Sequence, residues 1–216
     1  MAEVTNVAQF FDSYAEGFNA IYGNRNTFIN RMVNKYLRSS MRIRFEKTIA
    51  GCQPIESRSV VDVGTGPGHF AITLADQGAA RVLGVDFAET MIDVARKNAA
   101  HLDADSVCEF QFGDFHTYDF KDEKFDYGIA MGFMDYMSDP QRTVNLLLSL
   151  VTDKAFFSFP VATGILAWQR KLRYKSKCDL YLYSDADVRK LFNNSAANHF
   201  EVERTSRDFF VTASMN

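Results

Sequence analysis

The sequence contains few of the residues that cross-link or interrupt a chain. Only three cysteines occur in 216 residues, at Cys52, Cys108 and Cys178, and none has a second cysteine or a histidine at metal-ligand spacing. This scarcity excludes a disulfide framework and a cysteine-based metal site, and it is typical of proteins from a reducing compartment. Proline occurs four times, and no stretch rich in proline, glycine or serine marks a linker. We therefore expect residues 1–216 to form one domain.

Long apolar runs and strong charge are also absent. No segment approaches the ~20 apolar residues that cross a bilayer. The opening "MAEVTNVAQFFDSYAEGF" carries acids where a signal peptide needs basic residues and a continuous apolar stretch. We therefore expect a cytoplasmic protein without a transmembrane segment. The formal net charge of -3 provides no basic surface for general nucleic-acid binding, so nucleic acid is not an expected partner. None of these features predicts the oligomeric state.

The pattern of apolar residues changes near residue 58. Residues 1–52 have a helical periodicity, and we expect a helix that starts at an Asn26 N-cap and stops at Gly51. From Arg58 onward, short β-branched or aromatic runs such as "RSVVDVG" alternate with amphipathic segments such as "FAITLADQG". That alternation predicts an α/β fold in which a parallel sheet is covered by crossover helices. The adjacent runs "HFEVERTSR" and "DFFVTAS" predict a hairpin at the edge of the sheet.

Three alternate glycines follow the first predicted strand, in the stretch "VVDVGTGPGHF". Gly64, Gly66 and Gly68 fall on the first strand-to-helix turn, and open α/β sheets bind ligands outside the carboxyl ends of their strands. Glycines at that position let a ligand approach the backbone without meeting a side chain. The turn therefore predicts a nucleotide-like ligand. The dinucleotide fingerprint G-x-G-x-x-G is incomplete, because His69 stands where its third glycine belongs.

Acidic residues end the first three strands of the predicted sheet. Asp62 is expected to point into the crevice and to repel a pyrophosphate, whereas it would attract the sulfonium and ammonium of S-adenosylmethionine. Asp86 ends the second strand, where a carboxylate accepts hydrogen bonds from ribose hydroxyls. Asp114 ends the third, where it could accept from the adenine amine while Phe115 packs on the base, or serve as a turn or cap residue. Together these acids favour S-adenosylmethionine as the ligand.

The order of "VVDVGTGPG", "LGVDFAETMIDVARKN", "FQFGDF" and "FDYGIAMGFMDYM" resembles the class I S-adenosylmethionine-dependent methyltransferases, from about Arg58 to the C-terminus. The resemblance implies a Rossmann-like fold with a seven-stranded, mostly parallel sheet, an antiparallel last strand and helices on both faces. It also implies an N-terminal helical cover over residues 1–52 and a cofactor-binding core over residues 58–216. The cofactor-binding residues that it implies are Asp62, Gly64, Thr65, Gly66, Gly68, Asp86, Phe87, Met91, Asp114, Phe115 and Met131.

A second similarity concerns the two ends of the domain. The opening "FFDSYAEGFNAIYG", together with "SFP" and "YLYSDADVRKLF", is similar in layout to the magnesium-protoporphyrin O-methyltransferases and to relatives of unassigned substrate. In the porphyrin enzymes a histidine is expected roughly where Asp135 stands here. A porphyrin substrate is therefore not inferred for this chain.

Methyl transfer from a sulfonium is an in-line displacement at carbon, so the enzyme must align the acceptor and exclude water. An oxygen acceptor of high pKa also needs a general base, for which Asp135 and His116 are candidates, with Tyr136 as an orienting group. For His116, an ordinary loop histidine is the alternative. Aromatic residues of the N-terminal helices could close on the cofactor or simply form a buried helix face. These aromatics are Phe10, Phe11, Tyr14, Phe18 and Tyr22, of which Tyr14 and Tyr22 are also candidate cofactor-binding and orienting residues.

Basic residues gather near the other end of the chain, in "WQRKLRYKSK". Such a run is usually a solvated helix face, but at the mouth of the site it would favour an acidic or phosphorylated acceptor, or contact with anionic lipid. We predict an S-adenosylmethionine-dependent methyltransferase of a small molecule, with oxygen as the acceptor atom and nitrogen as the alternative. An NAD-dependent oxidoreductase and a non-catalytic cofactor-binding module remain open.

Overall fold

The computed structural model describes residues 28–164 and 179–216, and these ranges contain seven strands and five α-helices. In chain order they are α1 (Phe28–Gly51), β1 (Ser59–Val63), α2 (His69–Asp76), β2 (Arg81–Asp86), α3 (Glu89–His101), β3 (Cys108–Phe112), β4 (Phe125–Ala130), α4 (Pro140–Leu150), β5 (Val151–Pro160), α5 (Asp185–Asn193), β6 (His199–Arg204) and β7 (Asp208–Ser214). One turn of 3-10 helix, Met134–Tyr136, follows β4. As predicted, α1 ends at Gly51, whereas the expected Asn26 cap lies outside the described residues.

The strands form one sheet in the order β3-β2-β1-β4-β5-β7-β6. The pairs from β3 to β5 are parallel, and β7 runs antiparallel to both β5 and β6. These pairings confirm the predicted mostly parallel seven-stranded sheet, its antiparallel last strand and the hairpin at its edge. The chain reverses its direction of travel across the sheet between β1 and β4. A ligand crevice is expected at the carboxyl ends of those two strands.

Local sequence signals set where α4 and α5 begin. The Asp139 side chain caps α4 by accepting from the N–H of Arg142 at 3.0 Å, and Pro140 occupies the first turn. Ser184 caps α5: its hydroxyl accepts from the N–H of Asp187, whose carboxylate accepts from the N–H of Ser184. The sequence predicts both starts, with Pro140 at the start of one helix and a Ser184 cap with Asp187 in the first turn of the other, and the structure confirms them. The sequence also predicts a helix over "ATGILAWQRKLRYK", of which residues 165–175 lie outside the described part of the chain.

Each face of the sheet has its own apolar core. On the face covered by α2 and α3, Ile92 is buried with Phe156 of β5 and Phe210 of β7. On the face covered by α4 and α5, the rings of Phe157 and Phe159 pack edge-to-face on Phe192 of α5, with centroids 5.2 and 5.9 Å apart. Such ring contacts bury a large apolar area, and they account for some of the 20 phenylalanines in the sequence. Helices on both faces were predicted and are confirmed.

No helix within residues 28–164 and 179–216 is both long enough and apolar enough to cross a bilayer.

Candidate active site at the carboxyl edge of the sheet

The turn between β1 and α2 carries the three predicted glycines, all with positive φ. Gly64 (φ 68°) is closely packed, because a Cβ built on it would lie 2.6 Å from Cδ2 of Phe133. Gly66 (φ 53°) is open, with no atom within 4 Å of the position that a Cβ would take. Gly68 directly precedes α2. The turn therefore offers bare backbone at Gly66, where a ligand can approach without meeting a side chain.

Asp62 lies in β1, beneath the glycine turn. The residue is 1% exposed, and its Oδ2 accepts a hydrogen bond of 2.7 Å from the hydroxyl of Thr65. Burial raises the pKa of Asp62 from 3.8 to about 7. The hydrogen bond from Thr65 lowers this pKa, and the charge of Asp86 raises it by a smaller amount. The sequence argument placed this carboxylate in the open crevice. The structure instead buries it, so that it supports the turn from below.

Asp86, the last residue of β2, holds two turns together. Its Oδ2 accepts from the N–H of Gly66 at 2.8 Å, and its Oδ1 accepts from the N–H of Ala88 at 2.9 Å. The side chain thereby ties the glycine turn to the start of α3 through charge-assisted hydrogen bonds. A carboxylate has lone pairs beyond those two bonds. The ribose contact indicated by the sequence stays a prediction.

Asp114 follows β3 and stabilises its own turn. Its Oδ1 accepts from the N–H of His116 at 2.9 Å, and its carbonyl accepts from the N–H groups of Thr117 and Tyr118. Of the two roles considered for Asp114, the turn role is therefore observed. The adenine contact stays a prediction.

The Phe115 ring lies in the core. It is 2% exposed, and it packs edge-to-face on Phe120 and Phe133 with centroids 5.7 and 6.0 Å away. The prediction that this ring packs on the adenine disagrees with the structure, because core side chains surround it. A contact from the residue's backbone is not affected by that packing.

The remaining predicted cofactor residues surround the same edge or fall outside the described chain. Among them, Met91 is 3% exposed in the first turn of α3. Phe87 and Met131 are partly buried, each against one of the two cores. Tyr14 and Tyr22, like Phe10, Phe11 and Phe18, lie outside the described residues. Their contacts with a cofactor stay predictions.

Asp135 lies in the 3-10 turn directly after β4. Its side chain is buried, and its carbonyl accepts from the N–H of Tyr181 at 2.8 Å. The carbonyl of Met134, which lies in the same turn, accepts a hydrogen bond from the Tyr183 hydroxyl at 3.1 Å. Burial raises the pKa of Tyr183, and the nearby Asp135 contributes to the shift. Residues 179–183 thus pack against the turn that carries the predicted base Asp135 and its half-buried neighbour Tyr136.

His116 contacts α4 at the side of the site. Its Nε2 lies 2.8 Å from Oγ1 of the buried Thr143, and its carbonyl accepts from Nη2 of Arg142 at 3.1 Å. Burial lowers the pKa of His116, which favours the neutral imidazole. These contacts favour a structural histidine over the predicted general base, because the hydrogen bond to α4 orients the ring.

Three residues near the crevice were missed by the sequence analysis. The Phe133 ring packs on Gly64, and Ser158 accepts from the N–H of Gly132 at 2.8 Å and from Nη1 of Arg44 at 3.1 Å. Ser158 stands in the "SFP" run, which the sequence had marked without assigning it a role. Nothing in the helical pattern marked Arg44, since arginines are mostly exposed and its burial depends on how α1 packs.

Comparison with known proteins gives a family. Residues 56–178 match the model of a family described as a methyltransferase domain. The ubiquinone biosynthesis O-methyltransferase of Coxiella burnetii is 32% identical over 106 residues, which cover 48% of this chain and 44% of that protein. The protein-lysine N-methyltransferase EFM4 of Saccharomyces cerevisiae is 31% identical over 97 residues, covering 44% and 42%. The chain thus matches less than half the length of these curated relatives.

Solved structures show the same fold over almost the whole chain. Magnesium protoporphyrin IX methyltransferase of Synechocystis PCC 6803, with bound S-adenosylhomocysteine, has a TM-score of 0.77 at 21% identity, covering 98% of this chain and 99% of that one. The YcgJ protein of Bacillus subtilis has a TM-score of 0.68 at 14% identity, covering 80% and 98%. The predicted family, its cofactor class and the Rossmann-like sheet agree with these findings. The chain therefore belongs to the methyltransferase-domain family, and its sheet is that of the class I S-adenosylmethionine-dependent methyltransferases.

Proposed function

We propose that this protein transfers a methyl group from S-adenosylmethionine to an oxygen of a small-molecule acceptor. The observation that carries the proposal is the open backbone at Gly66, whose N–H is held by Asp86 at 2.8 Å. A side chain at that position would fill space that the bound cofactor needs. The residues present therefore fit the cofactor that the family uses.

The same turn disfavours an NAD-dependent oxidoreductase. The carboxylate of Asp86 is hydrogen-bonded to the glycine turn, and it would repel a pyrophosphate placed on the N-terminus of α2. His69, the first residue of α2, also stands where the dinucleotide fingerprint has its third glycine. A ligand with positive groups and no phosphate suits this arrangement better.

When bound, the cofactor supplies an electrophilic methyl group, so the chain has to place the acceptor behind it and keep water out. Asp135 is the proposed general base, because it lies in the 3-10 turn that follows β4 at the carboxyl edge and because that turn is fastened by Tyr181. Tyr136 in the same turn is the proposed orienting group. An oxygen acceptor of high pKa needs a general base. A carboxyl in this turn could take the proton of such a hydroxyl, and its presence therefore favours oxygen over nitrogen as the acceptor atom.

The acceptor is proposed to be small and to carry an acidic or phosphate group. This part rests on the basic run at residues 170–177, which lies outside the described residues. The proposed compartment remains the cytoplasm, on the composition arguments given above.

Calorimetric titration with S-adenosylmethionine, S-adenosylhomocysteine and NAD tests the cofactor. We expect saturable binding of the two sulfur compounds and none of NAD; binding of NAD alone would contradict the proposal. Release of S-adenosylhomocysteine across a panel of phosphorylated sugars, carboxylic acids, aromatic hydroxy compounds and amines then tests the acceptor. Turnover with amines alone would replace oxygen by nitrogen. Tight cofactor binding without turnover on any acceptor would favour a non-catalytic module.

A further inference from the structure

A chain of polar contacts joins α1 to the carboxyl edge of the sheet. The Ser40 hydroxyl donates to Oδ2 of Asp208 at 2.7 Å, and Nε of Arg44 lies 3.7 Å from the same oxygen. Nη1 of Arg44 donates to the hydroxyl oxygen of Ser158 at 3.1 Å, and that oxygen also accepts from the N–H of Gly132 at 2.8 Å. The chain of contacts runs from α1 through β7 and β5 to the turn after β4. We call these five residues the cover bridge.

Three of the five residues in the cover bridge are buried, and Arg44 and Gly132 are half-buried. Ser40 and Asp208 are each 2% exposed, Ser158 is fully buried, and the Arg44 side chain is 14% exposed. Polar groups in such surroundings are stabilising when all of them are paired, and they are costly when one partner is removed. The bridge should therefore hold its two ends in one arrangement.

Its inner end lies beside the proposed active site. Gly132 has a φ of 73°, a conformation that favours glycine, and its N–H is fixed by Ser158. The next residue, Phe133, places its ring against Gly64 of the glycine turn. Asp135 follows two residues later in the same turn. The backbone at Gly132 thus connects the cofactor turn with the proposed base.

We propose that Ser158 and Arg44 are positioning residues, which fix the backbone at Gly132 only while α1 is docked on Asp208. Neither side chain has to contact the reacting atoms. Undocking of α1 would remove Arg44 from Ser158, loosen Gly132 and let Phe133 move away from Gly64. The position of α1 and the shape of the cofactor turn are therefore coupled. Only the effect on cofactor affinity rests on the proposed function; the coupling of α1 to Gly132 does not.

Hydrogen exchange followed by NMR, combined with titration of S-adenosylhomocysteine, tests the coupling. We expect Ser158→Ala to speed exchange of the Gly132 amide and to weaken S-adenosylhomocysteine binding by about fivefold, the effect of one lost hydrogen bond. Arg44→Met should speed exchange both at Gly132 and in residues 40–48 of α1. Arg44→Lys, which keeps the charge and one donor, should restore part of both effects.

Arg42→Met is the matched control, because Arg42 lies on the same helix, has a 74% exposed side chain and pairs with Glu46 one helical turn away. It should leave exchange at Gly132 and the affinity unchanged. Unchanged exchange at Gly132 in both Ser158→Ala and Arg44→Met would overturn the proposal. So would a uniform rise in exchange with a lower melting temperature and normal affinity, since that result indicates a purely structural bridge. If Ser158→Ala does not fold, Arg44→Met and Arg44→Lys decide alone. If the wild-type protein binds no S-adenosylhomocysteine, the proposed function fails, and the exchange pattern still decides the coupling.

Discussion

The amino and carboxyl edges of the sheet carry the same kinds of charged side chain in different surroundings. At the amino edge, Arg81 pairs with Glu109 and Glu123 at 3.2 and 2.6 Å, and Arg58 pairs with Asp126 at 2.7 Å. Every side chain in these pairs is at least 24% exposed. Ion pairs between partly solvated side chains contribute little to stability and offer no enclosed site.

At the carboxyl edge, the acids are enclosed by the protein. Asp62 and Asp86 are 1% and 8% exposed, and they accept from the Thr65 hydroxyl and from the N–H groups of Gly66 and Ala88. A buried carboxylate is retained only where its hydrogen bonds or a ligand compensate for lost water. The difference teaches that burial, more than residue type, separates the proposed catalytic edge from the supporting one.

The largest expected effect concerns Asp135. Asp135→Asn should lower turnover by about 100-fold or more, the usual contribution of a general base, while S-adenosylhomocysteine affinity stays unchanged. Steady-state kinetics on the acceptor found in the panel, together with calorimetry, measures both quantities. His116→Gln is the control, since His116 is held by Thr143 and should keep most of the turnover. Full activity of Asp135→Asn would contradict the role of Asp135 as the base. Loss of activity in His116→Gln would contradict the structural role of His116.

Asp86→Ala should weaken S-adenosylmethionine binding by about 10- to 150-fold, which corresponds to about 1.5–3 kcal/mol for a charge-assisted hydrogen bond. The variant should also exchange the Gly66 amide faster, because that N–H loses its acceptor. Calorimetry and hydrogen exchange measure the two effects. Asp126→Ala at the amino edge is the matched control, and we expect it to leave the affinity unchanged. Equal weakening in the two variants would remove the distinction between the edges.

Two glycine substitutions should separate packing from ligand access. Gly64→Ala places a methyl 2.6 Å from Phe133, whereas Gly66→Ala meets no atom within 4 Å. Both substitutions should destabilise the folded state by about 1–2 kcal/mol, because each places a non-glycine residue in a left-handed backbone conformation. Only Gly64→Ala must also displace a buried ring. Urea denaturation should therefore show the larger loss of stability for Gly64→Ala. In Gly66→Ala, the loss of S-adenosylhomocysteine affinity should exceed what its stability change suggests; normal affinity there would mean that the ligand does not lie on this turn.

Asp62 should make stability depend on pH. Its folded pKa, about 7, is raised above the 3.8 of the free carboxyl, so the folded state binds more protons than the unfolded state between these values. The contribution of Asp62 to the free energy of unfolding should therefore fall as pH rises from about 4 to 7, by at most about 4 kcal/mol. Asp62→Asn should remove this decline, and it should gain stability relative to wild type as pH rises. Urea denaturation at several pH values tests this, and parallel profiles for the two proteins would contradict it.

The smallest effect is expected at the amino edge. Arg81→Gln removes both of its ion pairs, yet the exposure of the side chains limits the loss of stability to about 1 kcal/mol. Cofactor affinity should stay unchanged. A measurable change in S-adenosylmethionine binding would show that the two edges are connected more closely than their separate contacts indicate.

The strands, the glycine turn and the acids at the strand ends could be predicted because each leaves a local pattern. Alternating strand and helix runs, and glycines after an apolar run, do not depend on distant residues. The burial of Asp62, the packing of Phe115 in the core and the His116 contact with Thr143 could not be predicted, because each depends on which element packs behind the residue. Arg44 shows the same limit, since only the docking of α1 places it against β5 and β7.

The insertion of β7 between β5 and β6 has a consequence for how the molecule is made. Strand β5, with its apolar run "FFSFP", pairs with β7 over seven residues, from Lys154 opposite Ser214 to Pro160 opposite Asp208. Until residues 208–214 have left the ribosome, that side of β5 is an unpaired apolar edge, the kind of surface on which newly made chains stick to one another. The anchor of α1, Asp208, arrives with the same strand. Closure of the sheet and fastening of α1 therefore depend on the same strand, and they should occur together during folding.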